Sequence, residues 1–352
     1  MTKRIVRIFM ALVLLASFAA CQRRPLEDMQ EQVKIRVKVN IRAIANITTH
    51  VYNEHIPVPD LNTDMMRVMV YDPETKGLLT QSFIFNKEID DEGNQVLSGN
   101  LNISYGDYDF VIYNFDTPTT QVTNENNENR ILAYTPEISP AMRNRYFGTK
   151  ADPSEPDYSN MLINYEPDHL VVAREHNLHV SPHDTVVVIS TTATTIVDTY
   201  YIQIRVENAQ FMAADGATAV ISGLSPSNRF GPNIRTEDPS AAVVFNLYKS
   251  TDPNIPGANK DVICATFNTF GKIDNASSDL YVTFNIVDTA GNLQTYSTNL
   301  NTIFQSEDAI ERHWLIINEV FKLEPPTPTT GGGGGFQPKV DDWEEEEGNM
   351  VI

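Results

Sequence analysis

The chain has 352 residues, with 46 acidic and 26 basic side chains and a formal net charge of −20 at pH 7. This balance argues against binding to nucleic acid, because a nucleic-acid-binding surface needs basic patches. The length fits two domains of about 150 residues each. Of the two cysteines, Cys264 lies in the apolar run VICATF and is predicted to be a small, buried hydrophobic residue.

The N-terminal segment, residues 1–20, is predicted to be a secretory signal peptide. Basic residues precede the apolar run IFMALVLLASFAA, which is the pattern of such a signal. The sequence AAC at 19–21 resembles the lipobox of bacterial lipoproteins, with Phe18 where Leu is usual. The resemblance implies cleavage before Cys21 and its lipidation, and more than one acyl chain would give lasting membrane attachment. Two alternatives stay open: an ordinary signal peptide with a chance cysteine, or an uncleaved anchor helix.

A polar stretch, residues 21–32, is predicted to be a tether, and a β-strand follows it directly. Residues 33–41 alternate strictly between apolar and polar side chains, and Ile35, Val37 and Val39 are on the apolar side. A period of two predicts an antiparallel strand with one buried face.

Strand patterns recur through the first half, residues 33–165, with turn sequences between them. The segments are MMRVMVYD, SFIFNKEI, QVLSGNLNIS and DFVIYNF. Short strands separated by Asp-, Gly- and Pro-containing turns, with no sustained helical period, predict an all-β sandwich. From about 117 to 157 Asn, Glu, Thr, Pro and Ser dominate, and such a long excursion is usually functional or disordered.

The second half, residues 166–325, repeats the pattern after a boundary placed near Glu166-Pro167. Its segments are rich in Val, Ile, Thr and Tyr, which favour pleated surfaces. They include HLVVAREHNLHVS, DTYYIQIRVEN, AVVFNLYK, DLYVTFNIVD and WLIINEVFKLE. Two short helices fit the chain, at SPAMRNRYF and SEDAIERH. We therefore expect a second β-sandwich.

The C-terminal segment, residues 326–352, is predicted to be a linker followed by an acidic tail. A proline-rich spacer is stiff, five glycines at 331–335 are flexible, and FQPKVDDWEEEEGNMVI follows. Apolar residues bracket the acids, as expected of a strand that adds to a sheet edge. The predicted partner-binding residues are Val340, Trp343, Val351 and Ile352. The alternative is a charged, disordered end.

Three histidines, His176, His179 and His183, lie close together in the sequence. In a strand-and-turn context their spacing places them on different faces, whereas a structural zinc site needs four ligands in tight register. We predict exposed histidines and no metal site.

Acidic residues also cluster in the first half. Those considered are Asp72, Asp90, Asp91, Glu92, Asp107 and Asp109. Each is expected in or beside a turn, where bonds to the local backbone explain aspartate. No nucleophile elbow, phosphate-binding loop or metalloprotease motif is present, so we predict no catalytic residue, no cofactor and no enzyme activity.

The aromatic residues of the same region allow two interpretations. They are Tyr105, Tyr108, Phe110, Tyr113 and Phe115. Tyr108 and Phe110 share one strand face, as do Tyr113 and Phe115, so core packing is the favoured interpretation. A platform for a glycan is the alternative.

Nearly the whole mature chain resembles the fimbrillin-associated anchor and minor-pilin lipoproteins, which include a branch catalogued only as a domain of unknown function. After the lipobox and first strand, the matching segments are MMRVMVYDPE, the GDYDF and YN of 106–114, ISGLS at 221–225, TFG at 269–271 with DLYVTFNIVD, and GGFQPKVDDWEEEE. The resemblance implies two tandem transthyretin-like antiparallel β-sandwich domains. It also implies a Gram-negative outer-membrane location and pilus subunits as partners, joined by strand pairing.

The sequence thus predicts a lipid-anchored, surface-facing anchor or accessory subunit of a fimbrillin-type pilus. Gln22, Arg23, Arg24 and Pro25 follow Cys21, where surface-exported lipoproteins often carry acidic residues. This departure counts against surface exposure and not against lipidation. The alternative function is a glycan- or protein-binding surface lipoprotein for nutrient uptake or adhesion.

Overall fold

The structure is a computed structural model that describes residues 32–40, 51–59, 63–91, 93, 95–115, 117–147, 161–237, 239–250, 261–273 and 280–327. The first-half strands are β1 (Gln32–Asn40), β2 (Met66–Tyr71), β3 (Leu78–Ile84), β4 (Asn86–Ile89), β5 (Gln95–Ser104), β6 (Gly106–Asn114), β7 (Gln121–Thr123), β8 (Leu132–Tyr134), β9 (Leu162–Asn164), β10 (Val171–Val180), β11 (Val186–Thr192) and β12 (Thr194–Thr195). The later strands are β13 (Asp198–Glu207), β14 (Met212–Leu224), β15 (Ser227–Arg229), β16 (Ile234–Arg235), β17 (Ala241–Asn246), β18 (Tyr248–Ser250), β19 (Val262–Thr269), β20 (Tyr281–Asp288), β21 (Leu293–Asn299) and β22 (Trp314–Lys322).

Two α-helices in the described part of the chain, α1 (Pro140–Phe147) and α2 (Glu307–Arg312), confirm the short helices that the sequence predicts. Helix α2 begins after Ser306, whose side chain accepts a hydrogen bond from the backbone N–H of Ala309. No helix among the described residues is long and apolar enough to cross a membrane.

Two sheets of the first half pack face to face, with strand orders β11-β1-β5-β4 and β12-β10-β6-β2-β3. The predicted buried face of β1 is confirmed, because Ile35 and Val37 are 0% exposed. They belong to one core cluster with Val68 and Phe110 of the opposite sheet. Burial of alternate residues from both sheets is what holds a sandwich together.

Two further sheets form a second sandwich, with strand orders β18-β19-β13-β22 and β21-β20-β14-β17-β9. Ile202 and Phe267 on one sheet share a core cluster with Ile221 and Phe284 on the other. Cys264, on β19, is fully buried as predicted. The chain is therefore nearly all β.

Three strand pairs are parallel, which differs from the purely antiparallel sandwiches expected. They are β1 with β11, β13 with β22, and β17 with β9. Each joins strands that are far apart in the sequence, so no hairpin imposes an antiparallel direction.

The excursion at 117–157 includes regular structure that the sequence analysis did not predict. Strands β7 and β8 form a small sheet with β15 and β16 in the order β16-β15-β8-β7. Ala133 on β8 and Phe230, directly after β15, share a core cluster with Tyr71 and Tyr113 of the first sandwich. This sheet therefore covers the outer face of β2 and β6.

Residues 51–59, here called the strap, connect the first half to the outer face of β13 and β22. The Asn53 Oδ1 atom accepts a hydrogen bond of 3.1 Å from Trp314 Nε1. The His55 ring stacks on Tyr201 at 4.1 Å, and Ile56 is fully buried in the same cluster. The strap thereby ties the two sandwiches together.

Strand pairing divides the chain later than the predicted boundary near Glu166-Pro167. Strand β10 pairs with β6, and β11 pairs with β1, so both lie in the first sandwich. Strand β9 instead pairs with β17 in the second sandwich. A division between β12 and β13, near Val197, fits these pairings. Strand β9 is the exception, because it precedes the division in the chain but pairs within the second sandwich.

Candidate functional site

The predicted lipid acceptor and the predicted tail strand lie outside the described residues. These residues are Cys21, Val340, Trp343, Val351 and Ile352. Their roles stay predictions.

The sides of the sandwiches differ in how they are closed. In the first sandwich one run of the chain, 78–89, forms β3 at the edge of one sheet and then β4 at the edge of the other. On the opposite side a second run, 186–195, forms the edge strands β11 and β12 in the same manner. In the second sandwich β17 and β18 connect the two sheets on one side, where the short strand β9 pairs with the start of β17. On the remaining side the edges are two separate strands, β21 and β22. We call this side the open side.

The open side presents two strand edges. Within the described part of the chain β21 pairs with β20 alone, and β22 with β13 alone. Leu293 on β21 and Val320 on β22 are 49% and 36% exposed. An edge of this kind is a template for a further strand.

Side chains bridge the two edges of the open side. The Tyr296 ring stacks on Phe321 at 5.4 Å, and its hydroxyl donates a hydrogen bond of 2.5 Å to Glu319 Oε2. Burial and this neighbouring carboxylate raise the pKa of Tyr296 to about 12. The register of β22 skips Asn318 and Glu319, so a bulge interrupts the ladder here. A bulge and a charge are devices that limit unspecific strand pairing.

The end of the described chain also lies at the open side. The Gln294 side chain on β21 donates to the Glu324 carbonyl at 3.0 Å and accepts from the Glu324 N–H at 2.8 Å. The described chain therefore comes close to its C-terminal limit beside β21.

The aromatic residues considered for a glycan platform are mostly core residues. Tyr108 is 8% exposed, and Phe110 and Tyr113 are 0% exposed. Phe115 packs partly buried against the core cluster under the small sheet, and Tyr105 is 47% exposed. The favoured interpretation, core packing, is confirmed for the buried three.

The predicted turn role holds for Asp72 and is wrong for Asp109. Asp72 Oδ1 accepts hydrogen bonds from the backbone N–H groups of Glu74 and Thr75, at 3.0 and 2.6 Å. Asp109 lies within β6, and its partners are distant in the sequence. Its Oδ1 accepts from the Asn177 N–H at 2.7 Å.

Asp109 belongs to a cluster with Lys76, Glu128 and His176. The Lys76 Nζ atom lies 2.5 Å from Asp109 Oδ2 and 3.1 Å from Glu128 Oε2. His176 Nδ1 is 3.3 Å from Glu128 Oε1. Asp109, Glu128 and His176 have the ligand types of a metal site, with one atom each within 4.8 Å. The Lys76 ammonium already lies between the carboxylates, so the cluster is an internal ion-pair network.

The electrostatics of this network follow from burial and from Lys76. Burial alone would raise the pKa of Asp109, but the hydrogen bonds from Lys76 and Asn177 hold it below its ordinary value. Burial, together with the neighbouring Asp109, raises the pKa of Glu128. Lys76 and Glu128 carry no signal in the sequence, because each stands in a loop without a motif.

The other two histidines have different surroundings. His179 Nδ1 is 2.6 Å from Asp107 Oδ1, and the His179 side chain is 70% exposed. His183 is exposed in the turn before β11. The exposure predicted for the three histidines is confirmed, with His176 47% exposed at the edge of the network.

A cleft of about 160 Å³ lies where segments of the two sandwiches meet, and Glu166 lines it with Tyr165 and Phe245. Glu166 Oε2 accepts a hydrogen bond of 2.9 Å from the Asn268 N–H on β19. Burial raises the pKa of Glu166 to about 7. The nearby His169 lies between Thr195 and Thr199, and burial lowers its pKa to about 4.

Residues 34–246 match the model of a protein family described as "Domain of unknown function (DUF5119)". The match covers more than half of the chain, which therefore belongs to this family. The resemblance noted in the sequence, to a family with a domain-of-unknown-function branch, is confirmed at this level. No curated protein matches the chain.

Solved structures share the fold at low sequence identity. A candidate adhesin from Bacteroides ovatus is 14% identical with a TM-score of 0.56, covering 87% of this chain and 98% of that one. The fimbrial anchor protein Mfa2 from Porphyromonas gingivalis is 12% identical with a TM-score of 0.45, covering 81% and 88%. At these identities the first similarity establishes the fold, and the second carries no argument.

Proposed function

We propose that the protein is an outer-membrane lipoprotein that acts as an anchor or accessory subunit of a fimbrillin-type pilus. The open side of the second sandwich is the observation that carries this proposal, because two strand edges there are available to a neighbouring subunit. The fold shared with a candidate adhesin supports a role in adhesion or fimbriae.

The proposed mechanism is mechanical. Lipid on Cys21 holds the N-terminal end at the membrane, and a strand of a neighbouring subunit pairs with β21 or β22 at the other end. Many backbone hydrogen bonds formed together make release slow, as in other strand-addition complexes. Glu324, which precedes the linker and tail in the chain, lies beside β21. We propose that the acidic tail supplies a strand to the same assembly, with Trp343 as its apolar anchor.

The architecture proposed with this function is two tandem transthyretin-like β-sandwiches divided near Val197. The face-to-face packing of the sheets supports the two sandwiches. The burial of Tyr108, Phe110 and Tyr113 removes most of the surface on which a glycan platform would depend. For this reason the pilus role is preferred to the glycan-binding alternative, and no catalytic role is proposed.

Lipidation is tested by substitution of the acceptor thiol. Cys21→Ser is expected to abolish incorporation of a labelled fatty acid and to release the protein from the membrane fraction. Undiminished labelling of this variant would contradict the lipoprotein assignment.

The open side is tested by cross-linking from introduced cysteines in the native cell envelope. A thiol-reactive bifunctional reagent is expected to join Leu293→Cys on β21 to pilus subunits. The matched control is Tyr248→Cys on β18, at the opposite side of the same sandwich, because Tyr248 is 51% exposed and Leu293 49%. Equal adduct yields from the two positions would rule out the open side as the specific contact.

The tail is tested in the same assay. Trp343→Ala is expected to lower the yield of the Leu293→Cys adduct and to leave membrane attachment unchanged. An unchanged adduct yield would show that the tail takes no part in the contact between subunits.

A further inference from the structure

The outer face of the first sheet carries a basic stripe. Lys34, Arg36 and Lys38 are the polar positions of β1, opposite the buried Val33, Ile35 and Val37 in the alternation. All three therefore project from the side of the sheet that faces away from the core.

Neighbouring strands complete this surface with uncharged residues. On β11, Val186 is paired with Lys34 and Val188 with Arg36. These valines are 49% and 53% exposed. On β5, Asn102 is paired with Lys34, and it is exposed as well. We call the surface formed by Lys34, Arg36, Lys38, Val186 and Val188 the basic face.

The basic face contrasts in charge with the rest of the molecule. Glu88 is a carboxylate of the described chain that binds this face, and its Oε1 and Oε2 atoms accept hydrogen bonds of 3.0 and 2.9 Å from Arg36 Nη2. Lys34 and Lys38 add two further cations on a chain whose net charge is −20. A local positive surface on an acidic protein attracts anions selectively.

We propose that the basic face binds the phosphate-bearing headgroups of the membrane in which the protein is anchored. The inference rests on the proposed lipidation of Cys21. Strand β1 begins at Gln32, so the tether spans at most about 40 Å at ~3.5 Å per residue. The start of β1 is therefore held within about 40 Å of the membrane surface in every lipidated copy of the protein.

The chemistry of the face fits this occupant. Lysine and arginine side chains near an anionic leaflet are attracted to lipid phosphates. Their long aliphatic stems let the charged groups reach the phosphates while the stems contact apolar surface, and exposed valines beside them add such surface. An acidic peptide, such as the tail of a second copy, is the competing occupant and is distinguished by the experiment below.

The experiment uses the full mature chain, residues 21–352, with Cys21→Ser so that no lipid contributes to binding. Co-sedimentation is measured with vesicles of phosphatidylcholine alone and of phosphatidylcholine mixed with phosphatidylglycerol. The test variant is Lys34→Gln with Lys38→Gln. The control is Lys249→Gln with Lys322→Gln, which removes the same charge from exposed positions on the second sandwich.

We expect the parent chain to bind the anionic vesicles, more weakly as salt is raised, and not the neutral ones. The test variant should bind about 25-fold more weakly, at roughly fivefold for each cation lost near an anionic surface. The control variant should bind like the parent, and all three should have the same melting temperature.

Several results would overturn the proposal. One is that the parent chain does not bind the anionic vesicles. Another is that the test and control variants lose vesicle binding equally. A third is that Arg23→Gln with Arg24→Gln weakens vesicle binding while Lys34→Gln with Lys38→Gln has no effect. Light scattering tests the competing occupant. If the parent chain is a dimer, and either the two lysine substitutions or removal of residues 336–352 dissociates it, the face binds the acidic tail instead. Because the chain tested has no lipid, failure here leaves the labelling and cross-linking tests of the proposed function unaffected.

Discussion

The Lys76 ammonium lies 2.5 Å from the carboxylate of Asp109, whose side chain is 1% exposed. It also lies 3.1 Å from Glu128, whose side chain is 3% exposed. Lys76 has a φ of 59°, in the left-handed region, and from this turn position its side chain reaches both acids. One cation thus compensates two buried carboxylates.

Lys76→Met is expected to lower the free energy of unfolding by roughly 3 kcal/mol, since it keeps the aliphatic stem and leaves two buried acids without their cation. Urea denaturation measures this change. The control is Lys87→Met, which removes an exposed ion pair with Asp64 and should cost less than about 1 kcal/mol. Similar losses in both variants would mean that the Lys76 network is no more important than a surface pair.

Glu166 should make stability fall as the pH rises towards neutrality. Its pKa is raised from 4.5 to about 7 in the folded protein by burial, so the folded state holds the proton more tightly than the unfolded state. The stabilisation is complete below about pH 4.5 and is lost as the pH rises through about 7. Glu166→Gln, which can still accept the Asn268 hydrogen bond, should reduce this loss by on the order of 2 kcal/mol. Unfolding curves from pH 5 to 8 that run parallel for the two proteins would refute this role.

His169 should make the stability of the protein fall as the pH decreases, which is the opposite of the effect of Glu166. Its pKa is lowered from 6.5 to about 4 by burial, so the unfolded state binds the proton more tightly. Stability should fall as the pH drops from about 6.5 to about 4. His169→Gln should show a smaller fall, because a neutral amide replaces the imidazole between Thr195 and Thr199. Thermal melts over that pH range test this, and an unchanged acid slope in the variant would count against it.

The two faces of β1 should respond differently to the same charge. Val37 is fully buried, so Val37→Asp places an unpaired carboxylate in the core at a cost of several kcal/mol. We expect this variant to unfold the first sandwich, whereas Lys38→Asp on the outer face should be tolerated. Circular dichroism melts compare them, and equal melting temperatures would contradict the assigned faces.

Local periodicity was sufficient to predict several elements. The alternation of β1 and the short helix at SEDAIERH depend on a few consecutive residues, and the structure has both. The pairing of β1 with β11 was not predictable in this way, because a strand's period does not specify which distant strand it joins. Strands β7 and β8 were missed because three residues are too few to establish a period.

The candidate site was less predictable than the fold. Nothing in the sequence of β21 or β22 shows that their outer edges have no partner strand among the described residues, because that depends on the path of all other strands. Asp109 was expected in or beside a turn, with bonds to the local backbone, while its partners in the structure, Lys76 and Asn177, are brought to it by the tertiary fold. The type of each residue indicates the chemistry of its side chain, but the residues that it contacts are determined by the tertiary fold.

The strap has a consequence for the order in which the protein matures. The contact between Asn53 and Trp314 joins residues 261 positions apart in the chain. Closing so long a loop is slow, and it requires that nearly the entire polypeptide be available. In the secretion proposed above, a chain that emerges N-terminus first cannot complete the contacts of its strap until β22 has emerged. The joining of the two halves is then a late event of folding.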